Sequence, residues 1–255
     1  MKSVALVLGM FLGGLGLAGV IAISSVGSSQ KKVEPTQIRV GVMTARQKVH
    51  SKFFETYSAG RKLDVPLPER RLGKETVEAT EETVYLEPGL TVTSPDVPEL
   101  SFVDFLKDLS CQADATVIAS AKDRTSQLTE NREFLFTDYI VTVEENLKNN
   151  PSAYIAPNSD ITVTRPGGRV QIKGRIVNAL DASFKPLDTG KRYLLFLTYI
   201  PETGAYRALR KGSFLIENDD LVALTEEVIP GGSGAIRTLT AEIRNVLTSG
   251  CDRNK

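Results

Sequence analysis

Three cations in the stretch RVQIKGRIV, Arg169, Lys173 and Arg175, alternate with Val170, Ile172, Gly174 and Ile176. Read as one β-strand with a two-residue period, that order sets the cations and Gln171 on one face and the apolar side chains on the other. Such a face suits an acidic glycan or a single-stranded nucleic acid when exposed aromatics stand beside it, and Tyr139, Tyr193 and Tyr199 are the nearby candidates. The plainer assignment is a solvated edge whose charges discourage sheet-to-sheet association.

Little else in the chain promises chemistry. It has one histidine, His50, so no histidine-pair metal site can form, and the polar run around it reads as surface. The carboxylates Glu144/Glu145, Asp219/Asp220 and Glu226/Glu227 are adjacent pairs, which on a strand point to opposite faces and cannot share a proton. Pro166-Gly167-Gly168 and Pro230-Gly231-Gly232 lack the lysine and hydroxyl of a phosphate loop and read as turn and linker. No catalytic residue, metal ligand or cofactor is assigned. Cys111 and Cys251, 140 positions apart, permit one bridge if the body is exported; in the cytoplasm they would stay reduced. A bridge would staple the last helix beside the first one of the body.

The 31 basic and 31 acidic residues cancel over 255 positions, which excludes a polybasic nucleic-acid binder. The balance is uneven along the chain. Residues 31–80 carry 11 basic and 6 acidic side chains, and residues 81–255 carry the compensating excess of acid. The run from Val4 to Val26 holds no charge over 23 residues, about 34 Å as a helix, enough to span a bilayer. Its length favours a retained anchor over a cleaved signal, although small residues near Ala22 and Ser24 leave cleavage open. Lys31, Lys32, Arg39 and Arg46 after the span argue for the body inside; a short amino-terminal head leading a long domain argues for the body outside, which is the reading taken. Gly9 and Gly13 have the spacing of close helix pairs, though glycine-rich spans are common.

Residues 27–99 hold six of the twelve prolines and read as a mostly extended tether, with 46–58 and 83–93 as exceptions, the latter a short strand or hairpin. From residue 100 to 250 the pattern changes. Ser101 with Asp104 marks a capping box, and Phe102, Phe105, Leu106 and Leu109 give the stripe of a short amphipathic helix. Eight β-rich segments follow: 115–123, 134–148, 160–165, 169–177, 192–200, 205–210, 213–218 and 220–225. Turn residues separate them, among them Thr125-Ser126, Gly167-Gly168, Lys211-Gly212 and Asn218-Asp219. A second helix over AIRTLTAEIRNVLTSG closes the domain before a tail at 251–255. The expected fold is mainly β, an antiparallel OB-like barrel or sandwich flanked by two short amphipathic helices, behind an amino-terminal transmembrane helix and tether.

The order of these features, with Ala113-Asp114-Ala115, Phe136-Thr137-Asp138-Tyr139, Gly167-Gly168 and Gly190-Lys191-Arg192-Tyr193, resembles an uncharacterised bacterial family of secreted or membrane-anchored OB-like β-barrel domains over about residues 100–248. That resemblance implies a fold and carries no catalytic motif. The function expected is a single-pass membrane protein, anchored through residues 4–26, with its body outside the cytoplasm as a binding or structural module of the cell envelope. Its partner would be an envelope protein or polymer, and no nucleic acid is expected. The alternative is a cleaved, secreted or periplasmic binder of an acidic glycan or nucleic acid through Arg169, Lys173 and Arg175.

Overall fold

The run YLLFL at 193–197 is buried on both faces of its strand, and the architecture is built around that fact. The computed structural model describes residues 43–57, 81–86, 101–172, 175–181, 183–225, 229, 234–249 and 251. The 4–26 run, the Gly9/Gly13 spacing and most of the tether lie outside these. Among the described residues no helix is long and apolar enough to cross a membrane.

The elements in order are α1 (Ala45–Tyr57), β1 (Glu81–Leu86), α2 (Phe102–Gln112), β2 (Ala115–Leu128), β3 (Leu135–Lys148), β4 (Asp160–Pro166), β5 (Gly168–Ile172), β6 (Arg175–Asp181), β7 (Arg192–Ile200), β8 (Ala205–Glu217), β9 (Asp220–Ala223) and α3 (Ile236–Ser249). The protein is mainly β. One sheet runs β4-β3-β2-β7-β8-β9, antiparallel throughout, and closes on itself where β4 meets β8 in parallel, so a ring passes through five strands. It is not a clean barrel: that closing seam consists of Val163↔Tyr206 and Thr164↔Arg207 alone. A second sheet, β1-β6-β5, combines the parallel β1–β6 pair with the antiparallel β5–β6 pair.

Three apolar layers result. Inside the ring, the small row Ala115, Val117, Ala119 and Ala121 of β2 leaves space for Tyr139 and Tyr193 from its neighbours. On the outer face, Ile118, Leu194, Phe196 and Phe214 receive the stripes of α2 and α3. A third layer joins Phe134, Leu135 and Phe136 to Val170, Val177 and Ala179 of the second sheet, with Phe54 of α1 inserted. Because β7 feeds both of the first two layers, its sequence shows no polar alternation.

Three expectations are corrected. The segments 205–210 and 213–218 form one strand, β8, since Lys211 enters the left-handed region at φ 59° and makes a bulge instead of a turn. Likewise Thr125-Ser126 is no break: β2 continues to Leu128 against β3. Finally, the tether reading of 27–99 is cut back: residues 45–57 form the helix α1, residues 81–86 form β1 where a short strand or hairpin is expected, and both belong to the same compact unit as the body. The Asn218-Asp219 turn holds, with both residues at positive φ (51° and 66°) in a two-residue hairpin between Glu217 and Asp220.

Gly167 and Gly168 carry the chain from one sheet to the other at φ 83° and 148°, and a Cβ on Gly168 would lie 2.3 Å from Thr137 Oγ1 and 2.7 Å from Ser126 Oγ. Those hydroxyls are themselves hydrogen-bonded at 2.8 Å and buried. We expect Gly168→Ala to lower unfolding stability by about 2 kcal/mol or more, through both backbone strain and overpacking. A urea melt checks this, and an unchanged midpoint would show that the crossing tolerates a side chain.

Candidate functional site

The basic segment does not form the single ligand-facing strand expected of it. The segment 169–177 is a hairpin and not a single strand: β5 ends at Ile172, β6 starts at Arg175, and Ile172 pairs with Arg175. Residues directly opposite in an antiparallel pair share a face. Arg169 and Gln171 therefore align with Asn178 and Ile176, while Arg175 takes a register position in the row of Ile172, Val170 and Val177. The three cations do not form one row. Lys173 lies outside the described residues. Of the proposed aromatics, Tyr139 and Tyr193 are buried inside the ring and cannot stack on a ligand from solvent.

His50 corrects a second expectation. It is completely buried on α1, with Nδ1 2.9 Å from Asp138 Oδ1 and Nε2 3.1 Å from Thr203 Oγ1. Both ring nitrogens are thus engaged by side chains of other elements. The helix is placed by a reciprocal capping box: Thr44 N donates to Gln47 Oε1 at 2.8 Å, and Gln47 N donates to Thr44 Oγ1 at 3.3 Å. That start signal, Thr-x-x-Gln, is legible in the sequence. What hid the helix is its buried face, where polar His50 and Ser51 stand beside Phe54. Their partners come from distant strands. Ser51 Oγ accepts from Glu130 N at 2.7 Å, Arg46 Nη1 donates to Thr162 Oγ1 at 3.0 Å, and Arg207 covers the ring of Phe53 at 4.6 Å. Phe54 stacks on Phe136 and Phe134, with centroids at 5.3 and 6.0 Å.

The order Thr203, His50, Asp138 has the chemical sequence of a hydroxyl–imidazole–carboxylate relay. Here, however, the imidazole is enclosed, and Thr203 Oγ1 also accepts from Ala205 N at 3.3 Å. Substrate has no path to the imidazole in this arrangement. The triad's evident work is to pin α1 to β3 and to the β7–β8 turn.

Inside the ring the most unusual group is Arg165 of β4, 1% exposed, whose Nε, Nη1 and Nη2 have no hydrogen-bond partner among the described residues. It continues the inward row of Ile161 and Val163 by the two-residue period, a placement the sequence could have supplied. Its Cζ lies 5.4 Å from the centre of the Phe184 ring. Burial pulls the guanidinium below its usual value, opposed by the charges of Tyr139, Tyr193 and Asp181. The two tyrosines hold the segment that covers this end of the interior: Leu187 N donates to Tyr139 Oη at 3.4 Å, and Asp188 N donates to Tyr193 Oη at 2.7 Å. Burial pushes the Tyr193 phenol up to about 12. In the unfolded chain a phenol ionises near 10, so the stability this proton carries is intact below pH 10 and lost as pH rises toward 12. We expect alkaline unfolding in that window, with Tyr193 absent from the phenolate absorbance until the fold opens; its ionisation near 10 in folded protein would contradict the burial.

The Glu144/Glu145 pair takes separate partners, Glu144 with Arg192 at 2.8 Å and Glu145 with Arg244, as opposite faces require, and Glu226/Glu227 lie outside the described residues. Among the described residues no cluster of three metal-ligating side chains occurs. Cys111 of α2 and Cys251 beyond α3 are joined, with Cα atoms 5.5 Å apart. The class that fold and site define is thus a five-strand ring with a disulfide-stapled helix pair and a pinned upstream helix. No protein-family model matches the chain, and no curated protein matches its sequence.

Proposed function

We propose that the chain is a single-pass, amino-terminally anchored protein that carries an OB-like β-barrel outside the cytoplasm, as a binding or structural module of the cell envelope. The observation that carries this reading is the Cys111–Cys251 pair at bonding distance. A bridge between helices on the outside of the body is stable in an oxidising compartment and reduced in the cytosol. The uncharged run 4–26 supplies the route across the membrane. A closed ring of five strands is the strand number of a small OB barrel, which supports the finer fold assignment. Because α1 and β1 are part of the body, the connection to the proposed span is the stretch 27–44, at most about 60 Å when fully extended.

Fractionation with thiol trapping tests the proposal. Full-length protein should enter the membrane fraction, both cysteines should resist alkylation in denaturant until reductant is added, and external protease should reach the body once the outer permeability barrier is opened. Full-length soluble protein in the cytosol, with both thiols open to alkylation, would overturn it.

A further inference from the structure

We propose that the end of the ring interior beside Arg165 is a binding site for one small monovalent anion, a halide or a formate-sized carboxylate. A guanidinium is five donors with a permanent charge, and enclosing one without acceptors is strongly unfavourable. Arg165 is enclosed in this way. The face of Phe184 offsets part of the charge but accepts none of its hydrogen bonds in the plane of the fork. Tyr139 adds a donor: its oxygen accepts from Leu187 N, so its own proton is left for a further acceptor. The chemistry collected at this place is that of an anion's shell.

Charge and access set the class of anion. Asp181, buried nearby, directs Oδ1 to Ser183 N at 2.8 Å and forms no ion pair with Arg165 within 4.0 Å. Arg210 Nε donates to Ser183 Oγ at 3.2 Å from the exposed side of the same segment. Arg165 itself carries a single positive charge, which one monovalent anion balances; a phosphate would exceed it and face Asp181. The β4–β8 pairing stops at Thr164, one residue before Arg165, and a small ion would enter past the end of that seam.

The test uses the full-length protein in detergent, with bromide as probe and isethionate, too bulky for the interior, as reference at equal ionic strength. Bromide should raise the melting temperature by about 3–6 °C in the wild-type protein and leave Arg165→Met within about 1 °C. Equal shifts in the two proteins, or no shift in the wild type, would overturn the site. Should Arg165→Met fail to fold, anomalous diffraction from bromide-soaked wild-type crystals decides alone. A bromide peak within hydrogen-bonding distance of Arg165 supports the site; water there in place of bromide refutes it. Formate displacing the bromide assigns a carboxylate and bromide retained against formate assigns a halide, both of which support the proposal.

Discussion

Replacing Cys111 and Cys251 by alanine should lower the free energy of unfolding by about 2–5 kcal/mol, the largest loss we expect from any single link in the molecule. The bond closes a loop with a sequence separation of 140 residues. For a loop of that size the chain-entropy account gives about 5 kcal/mol, and strain or residual structure in the unfolded chain can only be set against it. The contribution comes mainly from the unfolded side, since α2 and α3 already meet through the apolar layer of Phe102, Leu106, Leu239 and Ile243. Urea unfolding with and without reductant measures it. The wild type with reductant should match the double alanine variant, with the α2–α3 layer still formed at low urea. A midpoint indifferent to reductant would mean that the bridge carries no stability.

The second large effect concerns the upstream helix. Phe54→Ala removes a ring that is 1% exposed and sandwiched by Phe134 and Phe136, a change that costs about 3–5 kcal/mol in a packed core. Here the loss is local. Since α1 holds the body through Phe54, His50, Ser51 and Arg46, weakening it should raise amide exchange over residues 45–57 by about 100-fold or more. Exchange in β2 and β7 should change far less, and trypsin should gain access to Arg46, Lys48 and Lys52. A solvated tether would show no response to this substitution, so unchanged exchange over 45–57 would return the segment to that description.

Local patterns carried the sequence reading a long way wherever one face of an element met the core. The stripe of α2 and its Ser101 cap were readable, as were the stripe of α3, the strand at 192–200 and the Asn218-Asp219 hairpin. The failures have physical causes. Lys211-Gly212 and Thr125-Ser126 have turn composition, but a bulge uses the same residues, and only cross-strand register tells the two apart. The alternation in 169–175 continues from β5 into the antiparallel β6, so periodicity alone joined two strands into one cationic face. α1 escaped because its buried face is polar: His50 is satisfied by Asp138, 88 positions away, and by Thr203, 153 away. Arg165 escaped for the related reason that an arginine in an inward row is read as exposed until its neighbours are known. Both are long-range facts.

The staple at Cys111 and Cys251 encloses β2 through α3 in one covalent circuit, whereas α1 and β1 precede it and are held to it by packing, hydrogen bonds and strand pairing. Tension applied from the amino-terminal end therefore meets a mechanical fuse before it meets the circuit. The aromatic clasp of α1 would give way first, β1 would then shear along β6, and the load would finally arrive at a loop whose length the bond forbids it to extend. Pulled from its leading end, the molecule would lengthen in two early steps and stop.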